Sequence, residues 1–356
     1  MPRHVTINDV ARAAGVSKGA ASNALNDQPG VSDATRQRVK DVAAQLGWSP
    51  NHLARALSGA KSDSIGWAIV RSAKSPTIDP YFTQLFSGIE LELEQTPFSL
   101  LTKLVSDRET EAALYRRWAA ERRVGGVLVT DVDVDETRFA QLDSLDLPFA
   151  VFRSTVAAPD AMPSELRVST LPAGSLVPSV WFPETETVSA VLGPALERGH
   201  RRFAWITGDP SKAAVLLRER AANSWARRHG AEVRTVYTDY SPSAGASAAL
   251  ELVRGAEPPT FVLFDSDIMA LAGLSALRAA GFHVPRDVSI ASFIDSELCE
   301  IAFPQITALE HPVIEFGRAM TRRLVEILQG RAGTDEWLPT PALTLRASLA
   351  DAPARV

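Results

Sequence analysis

From residue 64 onward the chain alternates between two kinds of segment. Apolar runs of strand length are "SIGWAIV" (64–70), "SLLTKLV" (99–105), "VGGVLVT" (124–130), "FAVF" (149–152), "RFAWITG" (202–208), "VRTVYT" (233–238), "TFVLFD" (260–265) and "VSIASF" (288–293). Between them lie amphipathic stretches of helix length, at 80–95, 109–122, 185–198, 212–229, 244–254 and 267–280. This alternation constrains the fold more than any other feature. A strand–helix–strand unit joins parallel strands, and a parallel sheet is covered by helices on both faces. Some eight strands exceed one compact open sheet of usual size, so the pattern predicts two α/β lobes. The Pro-, Ser- and Ala-rich stretch 154–183 falls midway and reads as an extended crossover between the lobes.

The first 60 residues follow another pattern, that of four short helices. Thr6 and Asp9 make a capping-box-like start, and Val10, Ala13 and Ala14 place an apolar face on the first helix. Gly15 supplies the turn, Val16 a buried plug, and Ser17 the cap of a second helix, 18–25, in which Ala21, Ala24 and Leu25 face inward. Small residues let two helices cross closely. Lys18, Gly19, Ser22, Asn23 and Asn26 are left outside, short or polar groups without an acid. That is helix-turn-helix geometry, whose second helix can enter a DNA major groove; the alternative is a structural three-helix module. A third helix follows in "VSDATRQRVKDVAAQLGW", capped by Ser32, with Val39, Val42, Ala43 and Leu46 packing back. In "SPNHLARALSG" (49–59), Pro50 stands just inside a helix start and Gly59 just past its end.

Charge divides the same way. The net charge of −5 combines a head, residues 1–61, with eight basic side chains against four acids, and a remainder of −9. A basic head on an acidic body suits contact with phosphates at one end only. The single cysteine, Cys299, excludes an internal disulfide and a cysteine zinc cluster and reads as a buried, inert thiol. The opening "MPRHVTIND" has no apolar signal core, and no apolar run approaches the roughly 18–20 residues of a membrane span. A soluble, cytoplasmic protein without cofactor or metal is expected. Enzyme signatures are missing: there is no P-loop, no G-x-S-x-G and no H-E-x-x-H. None of the six histidines pairs at metal-ligand spacing, and His200 reads as a cap on helix carbonyls. The acids of "DVDVDE" (131–136) lack the Gly and terminal Glu of a calcium loop and read as a solvated strand-to-helix turn.

"TINDVARAAGVSKGAASNALN", "VSDATRQRV", "LGWSPNHLARALSG" and "SIGWAIV" together resemble, in order and spacing, the lactose-repressor (LacI/GalR) family of bacterial transcription regulators. The resemblance continues in "DPYFTQLFSGIE", "GHRRFAWITG", "SDIMALAGLSALRAAGFHVPRDVSIASF" and "ITALEHPVIEFGRAM", and so spans nearly the whole chain. It implies an N-terminal all-α helix-turn-helix head on an α/β body of two Rossmann-like, periplasmic-binding-protein-like lobes. The expected boundaries are 1–49 for the head, 50–62 for a hinge helix and linker, and 63–349 for the body. Within the body, the near lobe would hold 63–154 and 294–327, and the far lobe 180–293 and 328–349. The chain would then cross between lobes three times.

By position, the resemblance makes Lys18, Gly19 and Asn23 base-reading residues, with Lys18 meeting either a base or a phosphate. It places Thr6, Ser17, Ser22, Asn26, Ser32 and Thr35 on phosphates, which set register while base edges choose sequence. Asn23 stands where the family usually has Arg, which shifts preference from guanine toward adenine. In the hinge, Leu57 matches a minor-groove wedge, with Asn51, Ala54 and Arg55 near the backbone; the alternative is that Leu57 packs on the body.

The effector cleft would be lined by Asp79, Tyr81, Phe82, Arg218, Ser266, Asp267 and Ile294. Trp181 and Trp225 are either aromatic walls or core. Ser266 replaces the usual Asn, and Ile294 stands where sugar binders carry an aspartate. The effector is therefore less polyhydroxylated, is bound differently, or has been lost, although a sugar or related metabolite remains the expected class. The expected function is a homodimeric, sequence-specific regulator of double-stranded operator DNA, most simply a repressor. The helix around "LFSGIELEL" is either a dimer face or core.

Overall fold

The computed structural model describes residues 5–25, 27–48, 62–71, 80–155, 179–331 and 334–354. They form two units, 1–62 and 63–356, each taken by itself below.

In the first unit, helices Ile7–Ala14, Lys18–Leu25 and Asp33–Gln45 close on a core of Val10, Ala11, Ala14, Ala21, Ala24, Val39 and Ala43. These are small side chains, so the helices can approach closely without large cavities. Gly15 ends the first helix at φ 67°, in the left-handed region that a glycine tolerates without strain. The apolar face differs from the expected one at two places. Ala11 is buried and Ala13 exposed, because the next helix packs one position round; Leu46 is 38% exposed while Val39 and Ala43 carry the third helix's contact. The fourth expected helix and the hinge at 50–62 lie outside the described residues, apart from Ser62.

The second unit holds two six-stranded sheets. Its strands are β1 Ser64–Val70, β2 Ser99–Val105, β3 Gly126–Val129, β4 Phe149–Thr155, β5 Ser179–Pro183 and β6 Arg202–Thr207. They continue with β7 Glu232–Tyr237, β8 Phe261–Phe264, β9 Ser289–Ser292, β10 Thr307–Glu310, β11 Glu336–Trp337 and β12 Ala342–Thr344. The near sheet has the order β11-β5-β4-β3-β1-β2, with every pair parallel. The far sheet runs β12-β10-β9-β8-β6-β7 and is parallel except for β12 against β10. Central strands such as β3 and β8 are buried at every residue, as a sheet covered on both faces requires. Helix Pro80–Leu93 packs against Val313–Leu328 at Gly88 and Gly317; a Cβ on either would collide with backbone of the other helix.

Two lobes and three crossings are present, but the crossings fall elsewhere than expected. β4 and β5 are parallel neighbours, so the stretch 154–183 connects strands of one sheet and is not a crossover between lobes; residues 156–178 are outside the description. The chain passes to the far lobe at Pro183–Glu184, because the next helix, Glu184–Glu197, packs in the far-lobe core. It returns after β10, which pairs with β9, and leaves again between β11 and β12. Residues 294–310 therefore belong to the far lobe, and 179–183 and 336–337 to the near one.

The two lobes also touch through a clasp. Asp133 and Lys212 form an antiparallel bridge, flanked by Val134 N–H donating to the Ser211 carbonyl at 2.8 Å and Ala213 N–H to the Val132 carbonyl at 2.9 Å. Lys212 Nζ also pairs with the Asp133 carboxylate. The 131–136 turn is therefore not a solvated one. Arg108 donates to Asp133 at 2.7 Å and to Glu111 at 2.7 Å, and Arg138 joins Glu111 and Glu136, both buried. Burial alone would raise the Asp133 carboxyl, but hydrogen bonds from Lys212 and Arg108 outweigh it and hold it below the ordinary range.

Candidate functional site

The head offers one exposed helix free of acids. On Lys18–Leu25, Ala21 and Ala24 face the core, Lys18 and Gly19 are exposed, and Ser22 and Asn23 are half-buried. Ser17 Oγ accepts from Ala20 N–H at 3.1 Å and so caps this helix; Ser32 Oγ accepts from Thr35 N–H at 3.3 Å and caps the next. Thr6 donates from its hydroxyl and backbone N–H to Asp9 at 2.6 and 3.0 Å. These hydroxyls all serve helix starts, which is where backbone N–H groups suit an anion.

Asn23 is less free than its sequence position suggests. Its Nδ2 donates to the Pro29 carbonyl at 3.3 Å, and Arg36 donates to the Asn23 carbonyl at 3.4 Å. Arg36 also reaches the Gln28 carbonyl at 3.0 Å, while Lys40 pairs with Asp27 at 2.8 Å. The 27–30 loop is thus tied to the second helix by side chains of the third. Asn26, Asn51, Ala54, Arg55 and Leu57 lie outside the described residues.

In the body, Tyr81 packs against both lobes' cores, while Phe82 belongs to the near lobe, stacks on Trp67 at 6.0 Å and lies under Arg71. Asp79 is outside the described residues. Across from them, Arg218 projects from Ala213–His229, the helix whose first turn enters the clasp. Its Nη1 donates to Asp265 at 2.6 Å, its Nε to the Ala214 carbonyl at 3.2 Å, and its guanidinium lies 5.1 Å from the Phe293 ring. Ile294 is buried in the same far-lobe cluster as Phe293 and Trp205. Structure thus brings Tyr81, Arg218 and Ile294 to the junction between lobes.

Ser266 and Asp267 have local duties. Ser266 caps helix Asp267–Ala279, accepting from Met269 N–H at 3.4 Å. Asp267 is buried, which pushes its carboxyl above the ordinary range, and Oδ1 accepts from Ile268 N–H at 2.7 Å. Trp181 stacks on Trp337 at 5.8 Å, and Trp225 on His229 at 4.5 Å within the far-lobe core. His200 does not cap its own helix: its ring bonds Thr260 and the Ala350 carbonyl, each at 3.0 Å, and so fastens the C-terminal segment. Cys299 is buried, with its thiol pushed up to about 12 by that burial.

Two groups at the junction escaped the sequence reading. Asp265, 3% exposed, accepts from Arg218, Trp205, Thr207 and Tyr240. His311 packs 4.8 Å from both Phe182 and Phe293, and its Nε2 has no hydrogen-bond partner among the described residues. The available signals were faint: an acid closing the run "TFVLFD", and a His within "LEHP".

The model for bacterial regulatory proteins of the lacI family matches residues 6–51, and that for a periplasmic binding protein-like domain matches 195–349. The chain therefore carries a DNA-binding head similar to that of the lacI family and a periplasmic binding protein-like domain. It is 29% identical to the regulator CelR of Thermobifida fusca over 92% of this chain and 93% of the relative. It is 28% identical to the repressor CytR of Escherichia coli over 96% of each. Among solved structures, a CelR–cellobiose complex covers 97% of this chain and is itself covered completely, at 26% identity and a TM-score of 0.68. A lac repressor dimer bound to operator and an anti-inducer, at 23% identity, shares the fold with a TM-score of 0.76, covering 98% of this chain and 100% of its own.

Proposed function

We propose that this chain is a homodimeric repressor of the LacI family whose two heads read a pseudo-palindromic operator through Lys18–Leu25, and whose operator affinity is set by a small molecule held between the body lobes. The observation that carries the DNA reading is the second helix itself. Its alanine face is buried by its neighbours, and its outer face shows Lys18, Gly19, Ser22 and Asn23 with no acid to repel phosphate.

For the effector, Tyr81 packs against the cores of both lobes and Arg218 rises from the helix that enters the clasp; with Ser266, Asp267 and Ile294 of the far lobe they are the candidate ligand contacts. The solved CelR relative is a cellobiose complex, which supports a sugar-like effector here. A ligand with different affinity for two lobe arrangements shifts their populations, and operator affinity changes by no more than that difference. For the dimer, the far lobe exposes Ile301 and Phe303 at 75% and 79%, and helix Pro80–Leu93 exposes Phe86 and Leu91. Apolar side chains so exposed suit an isologous contact with a second copy.

Incubating the purified protein with sheared DNA from its source organism, and sequencing the bound fraction, tests this. An enriched pseudo-palindrome is expected. Binding without enrichment, weakening only as salt rises, would refute sequence-specific reading.

A further inference from the structure

Arg218 is held by two acids of its own lobe through Nη1 and Nε. Besides its hydrogen bonds to Asp265 and the Ala214 carbonyl, it has Glu184 Oε1 3.6 Å from its Nε. Asp265 takes two hydrogen bonds on each oxygen: Oδ1 from Trp205 at 3.2 Å and Arg218 at 2.6 Å, Oδ2 from Thr207 at 2.8 Å and Tyr240 at 2.6 Å. Tyr240 reaches it from a left-handed backbone, φ 62°, which an aromatic residue rarely adopts. Its ring lies directly over Gly208, where any Cβ would collide with it. Five elements of the far lobe therefore converge to hold one carboxylate against one guanidinium.

We propose that Asp265 is a specificity-determining residue: by pairing with Arg218 Nη1 and, with Glu184, offsetting its charge, it makes the inter-lobe site reject carboxylates and phosphates and accept an uncharged, hydrogen-bonding ring compound. This rests on the reading of the junction as an effector site. One guanidinium faces two carboxylates, Asp265 and Glu184, both buried. A ligand anion approaching that guanidinium meets two fixed like charges in a site of low dielectric, where repulsion is weakly screened. The Arg–carboxylate pair that would otherwise recognise such an anion is already made.

Ile294 carries no charge, the Phe293 ring offers an apolar face, and His311, packed among Phe182, Phe293 and Phe316, holds its Nε2 without a partner among the described residues. Aromatic faces take the C–H face of a ring, and a neutral imidazole nitrogen takes one hydroxyl or N–H.

The test uses the full chain, with sodium acetate and inorganic phosphate as probes against sodium chloride at matched ionic strength. Calorimetric titration compares the parental protein with Asp265→Asn, Glu184→Gln and the double variant Asp265→Asn/Arg218→Met. Parental protein should show no saturable uptake of either anion. Asp265→Asn should bind at least one of them saturably, roughly tenfold or more tighter than the weakest affinity the titration can detect for the parental protein, which is 1.4 kcal/mol, and adding Arg218→Met should abolish that binding.

Glu184→Gln should move in the same direction, and it keeps the test decisive where Asp265→Asn does not fold. Saturable anion binding by the parental protein that Arg218→Met removes would overturn the proposal. So would the absence of any gain in folded Asp265→Asn, or in Glu184→Gln where it stands alone. Cellobiose serves as the neutral probe in parallel. A gain in anion binding by the variants, with no neutral compound bound by the parental protein, would sustain the role of Asp265 and count against the effector reading instead.

Discussion

His311 makes the body's stability depend on pH in a way that can be calculated. Burial first, and the Arg218 charge second, push its imidazole down from 6.5 to about 3. Below pH 6.5 the unfolded chain takes up a proton that the folded ring refuses until about pH 3. The His311 contribution is therefore complete above pH 6.5 and declines as the pH falls, by up to about 1.4 kcal/mol per unit. Between pH 7 and pH 5 the loss comes to about 2 kcal/mol. The assay is urea unfolding of the parental protein and of His311→Gln at those two pH values, following the body's transition. His311→Gln lowers absolute stability by losing ring contacts with Phe182 and Phe293, but it cannot titrate. The difference in stability between pH 7 and pH 5 should shrink by about 2 kcal/mol in the variant. His200, also held below its ordinary value by burial, is common to both and cancels. An identical pH difference in the two proteins would show that the folded ring titrates normally and is not buried as described.

Gly88→Ala should destabilise the body by about 1–3 kcal/mol, because its Cβ would strike the Ile314 carbonyl and only backbone movement can relieve it; an unfolding free energy from urea titration that is unchanged from the parental protein's would contradict the packing. Lys212→Met should cost about 1 kcal/mol, a partly exposed ion pair whose Asp133 keeps Arg108, and Lys212→Arg should restore most of it. Asn23→Arg must first break the bond to the Pro29 carbonyl; its recovered DNA sites should then favour guanine at one half-site position, and an unchanged motif would remove Asn23 from base reading.

The long apolar runs were the legible part. "SIGWAIV" and "SLLTKLV" are β1 and β2 residue for residue: β1 is buried along its middle and so reads as a continuous apolar stretch, whereas the edge strand β2, at most half-buried, admits Thr102 and Lys103. Strands β5, β10, β11 and β12 were missed because two to five residues carry no periodicity, and β5 sits beside a Pro- and Ser-rich stretch. Missing β5 and β10 in turn displaced the lobe boundaries. Helix Arg138–Ser144 escaped because its first residue is a buried Arg, tied to Glu136 and Glu111, which reads in sequence as a solvent-facing charge. In the head, spacing found the helices and caps, while the identity of the buried alanines depended on helix rotation, which spacing leaves open by one position. At the junction, resemblance located Arg218, but what satisfies it came from Asp265 and Glu184, two acids distant in sequence whose pairing exists only once β6, β8 and the helix Ala213–His229 are assembled.

The most direct measurement is fluorescence anisotropy of the recovered operator duplex and of a scrambled duplex of equal length, titrated with the protein over a range of salt. The expected result is operator binding roughly 10³-fold or more tighter than scrambled DNA, with both affinities falling as salt rises. Equal affinities with a common salt dependence would mean that Lys18–Leu25 meets phosphates alone, and would contradict a sequence-reading repressor.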